Sequence, residues 1–283
     1  VLGLLTADWL ADRGARRIIL AGRTPLPPRK QWSAADSGLD VDTRHKIDAI
    51  HALEMRGVSV DTVALDIGSL DAVQGFLDRR DADGAPLIRG VIHAAGMTDA
   101  QLLTEIDENR VHRTVWPKIA GARVLDEAFP VGSLDFMYLD ASAGAVFGVP
   151  GQGAYAAGNA YLDALARARH RQGCNTVSLD WVAWQGLGFG GEAQVVFSEL
   201  ERVGSRPVTA SEAFAAWDYA SRFDIGQVVM APMQSAEDAA AVTSDAHRPT
   251  APTRAWSTMA PAELLSELQD GLRGILATEL RLP

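Results

Sequence analysis

The 283-residue chain has one cysteine, Cys174, so it can form no internal disulfide and holds no Cys-x-x-Cys metal spacing. That usage suits a reducing compartment, and a cytoplasmic location is expected. Positive charge is also scarce: 26 Lys and Arg stand against 36 Asp and Glu, a net charge of -10. A nucleic-acid partner is therefore not expected, because phosphate binding needs a basic surface. No apolar run approaches the length of a membrane span, and Val1-Leu2-Gly3-Leu4-Leu5 lacks the basic region of a signal peptide. The 6 histidines have no partners at ligand spacing, so His93, His112 and the rest read as packing or surface residues, and no metal is expected. What remains is ordinary for a globular protein: 47% hydrophobic and 22% charged residues, enough for one large or two modest domains.

Apolar spacing along the chain predicts strands alternating with helices. Leu4 to Arg13 is helical by Leu5, Trp9 and Leu10 and stops at Gly14. A β-rich run from Arg17 follows, ending in Gly22-Arg23-Thr24, and Pro25, Pro27 and Pro28 punctuate the loop beyond. Helices are predicted over Thr43 to Arg56, Leu70 to Arg80 and Ser211 to Ser221, and a long one over Thr104 to Phe129 that Pro117 should kink. Strands are predicted over Val58 to Ile67, Leu87 to Ala95, Phe136 to Leu139, Thr176 to Trp184 and Gly226 to Met230. Alternation of this kind means βαβ units and a parallel sheet covered on both faces, with ligands at the carboxyl ends of its strands. Arg23, Asp66, the Ala94-Ala95-Gly96 turn and Ser142 all fall at such ends.

The chemistry is concentrated between Leu139 and Asp163. A strand delivers Ser142, a Gly/Pro-rich loop from Gly148 to Gly153 follows, and a helix then carries Tyr155 and, one turn on, Asn159. A hydroxyl and a phenol so arranged can share one carbonyl oxygen. A free phenol with a pKa of roughly 10 is a sluggish acid near neutrality, and a lysine ammonium beside it lowers that value. Four residues after Tyr155 stands Asn159, not a lysine; Lys118, on the preceding long helix, is available instead. Trp181 and Trp184 read as core and lid packing.

Four stretches carry a resemblance: Trp116-Pro-Lys-Ile-Ala-Gly-Ala122, Ser142-Ala-Gly144, Gly151-Gln-Gly-Ala-Tyr-Ala-Ala-Gly-Asn159 and Ser178-Leu-Asp-Trp181. With Ser142 and Tyr155 thirteen apart, the chain from Val1 to about Met233 resembles the ketoreductase domains of modular polyketide synthases, within the short-chain dehydrogenase/reductase superfamily. The resemblance implies a Rossmann-like doubly wound parallel sheet and reduction of a β-ketoacyl thioester to the β-hydroxyacyl thioester with NADPH. It implies that Tyr155 donates the proton, Ser142 holds the substrate oxygen, and Lys118 and Asn159 tune and orient the site. On the cofactor side it implies Gly3, Arg23, Asp66, Ile67, Ala94, Ala95 and Gly96, together with Lys118 and Tyr155. An arginine at position 23 suits a ribose 2′-phosphate, where an acidic residue would favour a free hydroxyl.

The family's phosphate-cradling Thr-Gly-Gly-x-Gly-x-Leu-Gly motif is represented only by its tail, Leu2-Gly3. The sheet is therefore expected to lack its first strand and the chain by itself to be inert toward NADPH. Product stereochemistry stays open: Met97-Thr98-Asp99-Ala100 stands where one class has Leu-Asp-Asp, and Phe147 stands where the other has a tryptophan. The expected organisation is a catalytic domain over 1–233, a linker over 234–260 rich in Ala, Ser, Thr and Pro, and over 261–283 an amphipathic helix. By resemblance that helix, with Leu264, Leu265, Leu268 and Leu272 on one stripe, begins an acyl carrier protein domain. The implied partners are that phosphopantetheine-tethered carrier and the other domains of the synthase. The alternatives are a non-catalytic, structural ketoreductase-like module and a free-standing acyl carrier protein reductase.

Overall fold

A computed structural model of the chain describes residues 2–32, 38–100, 102, 105, 107–187, 193–234, 260, 263 and 266. There are two compact units, Val1–Ala239 and Ala240–Pro283. Of the second, only Ala260, Glu263 and Ser266 are described, the last two as helix. The expected linker and carrier helix otherwise lie outside the described residues, as does Thr104, where the long helix was expected to start.

The first unit alternates helix and strand as the apolar spacing requires. In order it runs α1 (Leu2–Asp12), β1 (Arg17–Gly22), α2 (Val41–Met55), β2 (Ser59–Ala64), α3 (Leu70–Ala82) and β3 (Gly90–His93). Then come α4 (Glu108–Val115), a π-helical turn (Trp116–Ala120), α5 (Gly121–Ala128), β4 (Phe136–Ser142), α6 (Gly144–Phe147) and α7 (Gly153–Arg171). The order closes with β5 (Thr176–Trp181), α8 (Ala193–Arg202), α9 (Ala210–Ala220) and β6 (Gln227–Met230). Local chemistry sets the boundaries. Asp40, Ser69 and Asp107 accept from first-turn amides of α2, α3 and α4, and Thr209 with Glu212 makes a reciprocal capping box on α9. Gly14, at φ 97°, lets the chain leave α1 for β1.

All strand pairs are parallel, in two ladders: β1 with β2, and β3-β4-β5-β6. Among the described residues β1 and β3 are not paired with each other. The pleat sorts side chains by parity. Met137, Leu139 and Ala141 of β4 pack with Ala122 and Leu125 of α5 and Leu162 and Ala166 of α7. On the other face Leu179 and Trp181 of β5 pack with α8 and α9, where Trp217 stacks on Trp9 of α1 at 4.3 Å between ring centroids. A third core joins α1 and α2 to β1 and β2 through Ala7, Ile47, Ile50, Leu53 and Val60. Burying a side chain such as Leu162, fully covered, stabilises by about 1.5–3 kcal/mol.

The long helix expected up to Phe129, with a kink at Pro117, runs without interruption from Glu108 to Ala128 and widens at that proline. Pro117 has no N–H to continue the α-helical ladder, and the chain passes through the π-helical turn before resuming as α5. A second difference is α8, absent from the sequence reading, and a third is the short α6 directly after Ser142.

Candidate active site

Ser142 is the last residue of β4, one strand in from the edge strand β3 of its ladder, and its Oγ accepts from the Gly144 amide at 3.1 Å. It opens into a cleft lined mainly by apolar groups, among them Phe147, Val149, Trp181, Val196 and Leu200. Val196 and Leu200 belong to α8, so the helix that sequence reasoning missed forms a wall of this cleft. Its signal was present in Val196 and Leu200 four apart. Trp181 and Trp184 are buried and meet edge to face at 5.0 Å, the packing role expected of them.

Tyr155 and Asn159 stand one turn apart on α7. The Asn159 Nδ2 donates to the Tyr155 carbonyl at 2.7 Å, while its Oδ1 is buried with no partner among the described residues. Lys118 enters from the π-helical turn and is only 4% exposed. Its Nζ donates to the Asp140 carbonyl at 2.5 Å and lies 5.9 Å from the centroid of the Tyr155 ring. Two glycines give it room. A Cβ on Gly158 would come 3.2 Å from the Lys118 Cβ, and one on Gly96 would come 2.7 Å from its Cε. The structure thus brings Lys118, Tyr155, Asn159 and Gly96 together, with Ser142 two residues beyond the carbonyl that holds the ammonium.

Burial pushes the Lys118 ammonium down to about 8, although Asp140, Asp163 and Asp180 all pull the other way. Asp140 is pushed up to about 6 by burial, against the Trp181 Nε1 that donates to it at 3.0 Å and the charge of Lys118. His93, the last residue of β3, is buried and held neutral: burial first, then Lys118, take it to about 3. It packs beside Gly121, as expected of a packing residue.

The remaining predicted residues occupy the neighbouring strand ends. Arg23 follows β1 directly, is exposed, and its side chain has no hydrogen bond or ion pair among the described residues. Asp66 follows β2; it accepts from the Gly68 amide at 3.0 Å and from the Trp116 indole at 3.3 Å. Ile67 lies against Gly121, where an added Cβ would come 2.8 Å from its Cδ1. Ala94, Ala95 and Gly96 follow β3, and Gly3 lies in the first turn of α1 with open space around it. Asp66, through the Trp116 indole, and Ile67, at Gly121, border the turn that carries Lys118. Among the described residues no helix is long and apolar enough to cross a membrane, and no group of His, Cys, Asp and Glu could hold a metal ion.

A family model for the KR domain matches residues 1–186. One subunit of the phenolphthiocerol/phthiocerol polyketide synthase of Mycobacterium tuberculosis is 57% identical over 282 residues, covering 100% of this chain and 15% of that protein. The 6-methylsalicylic acid synthase of Aspergillus terreus is 41% identical over 229 residues, covering 81% of this chain and 13% of its own length. The chain therefore spans less than a sixth of either synthase. Among solved structures, the ketoreductase from the first module of phoslactomycin biosynthesis in Streptomyces sp. HK803 is similar, with TM-score 0.68 and 32% identity. That match covers 88% of this chain and 54% of the other. With its parallel sheet, its strand-end serine and a family match over most of its length, this chain belongs to the ketoreductase (KR) domains of polyketide synthases, in the short-chain dehydrogenase/reductase fold.

Proposed function

We propose that the domain reduces a β-ketoacyl thioester to the β-hydroxyacyl thioester within a cytoplasmic polyketide synthase, with NADPH as reductant. The observation that carries this reading is the buried Lys118 ammonium beside the Tyr155 ring. A buried cation next to a phenol costs stability and has a chemical use: it favours the phenolate, so the phenol gives up its proton more readily.

The residues present fit a phosphorylated dinucleotide in two respects. Arg23 offers an exposed guanidinium at the end of β1, with no partner among the described residues, matched to a 2′-phosphate. Gly96, exposed and without room for a side chain, leaves backbone open to close approach after β3, next to Ala94 and Ala95. Asp66 and Ile67 would hold the adenine end and Gly3, in the first turn of α1, the phosphates. When bound, NADPH supplies the hydride.

The chain's own residues then act on the carbonyl oxygen. The Ser142 hydroxyl donates a hydrogen bond that holds this oxygen, and Tyr155 delivers its proton to it as negative charge builds there. Lys118, held at the Asp140 carbonyl, eases loss of the phenol proton, and Asn159 fixes the Tyr155 backbone. The apolar cleft beside Ser142 would receive the acyl chain and exclude water from it.

The substrate would arrive on the phosphopantetheine arm of an acyl carrier protein domain of the same polypeptide. Residues 261–283 would begin that domain, after a catalytic domain over 1–233 and a linker over 234–260. The deciding experiment is Tyr155→Phe in the intact synthase. NADPH-dependent reduction of the β-ketoacyl thioester should fall at least about 100-fold with the fold preserved; near-parental turnover would remove Tyr155 from the role of acid.

A further inference from the structure

The helix that carries Tyr155 and Asn159 continues their polar stripe downward. Asp163 is one more turn along the same face of α7, directed at β5. There Ser178 Oγ donates to Asp163 Oδ1 at 2.6 Å, and Asp180, two residues on along the same face of β5, stands close enough to feel the charge of Asp163. Asp180 Oδ2 accepts from Gln227 Nε2 of β6 at 2.7 Å, and Gln227 Oε1 accepts from Arg167 on the rim of α7. Asp180 is fully covered and Asp163 is 4% exposed. Asp180 Oδ1 is buried with no hydrogen-bond partner among the described residues. Two carboxylates offer each other only lone pairs, so a hydrogen bond between them requires that one hold a proton.

We infer that Asp163 and Asp180 share a single proton in the folded protein and act as a positioning pair. They seat α7, and with it Tyr155 and Asn159, on β5 with one net negative charge beside Lys118. The charged groups around the pair set this balance. Lys118 of the π-helical turn is its buried cation, and Asp140 of β4 is a third carboxyl facing the same ammonium. Arg167 of α7 is exposed and bound to Gln227. The groups that β5 and β6 turn toward the pair, Ser178 and Gln227, are neutral. Three ionised carboxylates on one buried ammonium would leave uncompensated charge out of water, which burial strongly disfavours. Retaining one proton removes that excess.

Burial, then the charge of Asp163, pushes Asp180 up to about 8, and burial raises Asp163 as well. A carboxyl raised on folding holds a proton that the unfolded chain has lost. Its contribution to stability therefore falls as pH rises from the ordinary 3.8 toward about 8, then stays constant. Above that range two like charges face each other under α7.

Asp180→Asn separates the proton from the packing, because its amide can donate to Asp163 as the protonated acid does but cannot titrate. In the infrared difference spectrum of the 283-residue chain between about pH 7 and about pH 9.5, the parent should lose a protonated-carboxyl stretch with a midpoint near 8. Asp180→Asn should show no such loss. Its urea midpoint should gain on the parent's steadily between about pH 5 and pH 8. For the seating itself, amide exchange of α7, corrected for intrinsic rate, should speed up in the parent as pH passes about 8 and not in the variant. No titrating band in the parent, or the same band in the variant, overturns the shared proton, whether or not every variant folds. Unchanged exchange in the parent overturns the seating. The link to catalysis rests on the roles proposed above for Tyr155 and Lys118, but none of these readouts does, so the two can fail separately.

Discussion

Replacing Lys118 by Met should make the chain more stable while abolishing reduction. The ammonium is 4% exposed, and burial takes it from an ordinary 10.5 to about 8 in spite of three aspartates nearby. At pH 7 the lysine is protonated both folded and unfolded, so the full cost of burying its charge weighs on the folded chain. That cost corresponds to the fall from 10.5 to about 8, roughly 3 kcal/mol at about 1.4 kcal/mol per tenfold. Against it stands the charge-assisted hydrogen bond to the Asp140 carbonyl, roughly 1.5–3 kcal/mol where such bonds are removed one at a time. Met fills the same slot between Gly96 and Gly158 and needs no partner. The net expectation is a gain of about 1 kcal/mol at pH 7, a rise in the urea midpoint of roughly 0.5 M with an unchanged slope. The sign has a second check. A lysine lowered on folding has its cost fully present below about 8 and relieved as pH climbs to 10.5, so the parent should catch up with the variant over that window. Turnover should fall at least about 100-fold. A Met variant clearly less stable at pH 7, or an advantage that persists through the alkaline range, would show that the aspartates more than compensate the buried charge.

Two further substitutions probe the cofactor and the lysine slot. Arg23→Asp should weaken NADPH binding in the intact synthase by about 10–100-fold while NADH binding changes little, since only the former offers a phosphate; equal losses in fluorescence titrations would mean that Arg23 does not read it. Gly96→Ala puts a methyl 2.7 Å from the Lys118 Cε, which cannot swing away because it is buried; a stability loss of about 1–3 kcal/mol and a fall in kcat are expected, and unchanged kinetics would show that the ammonium has slack.

The carboxyl-end residues were legible from the chain because spacing alone constrains them. A strand that must bury Leu139 and Ala141 delivers Ser142 at its end, and an α7 that must bury Leu162 and Ala166 turns Asn159 inward as well. The alternation of strand and helix likewise fixed a parallel sheet, because no hairpin turn joins successive strands. Three things were not legible. Pro117 announces a break in a helix but not whether the chain kinks or widens by a residue, and the π-helical turn is the tertiary answer. The helix α8 has a mixed first turn, and its apolar positions gain meaning only against the cleft it covers. The burial of Asp163 and Asp180 was not legible, since burial of a carboxyl is decided by what packs over it. The available hint was strand parity: Thr176, Ser178 and Asp180 put polar groups on one face of a strand that a doubly covered sheet must bury.

The π-helical turn also explains how the lysine can come from outside α7. Residues 116 to 121 are received on several sides by positions that tolerate no side chain, or supply such a position themselves. A Cβ on Gly68 would fall 2.4 Å from the Trp116 indole, those on Gly96 and Gly158 would press on Lys118, and one on Gly121 would meet Ile67 and the ring of His93. The indole of Trp116 is also tied to Asp66. The end of β2, the end of β3 and the middle of α7 therefore all close on one turn, and the ammonium is fixed by that closure more than by its hydrogen bond to the Asp140 carbonyl. Widening the helix by one residue at Pro117 re-aims the next residues by roughly a quarter turn, which is how Lys118 can lie buried toward α7 while Trp116 covers the end of β2. In a regular helix the same two side chains, two residues apart, would point to nearly opposite sides. The widened turn of the fold and the charged element of the site are thus the same five residues.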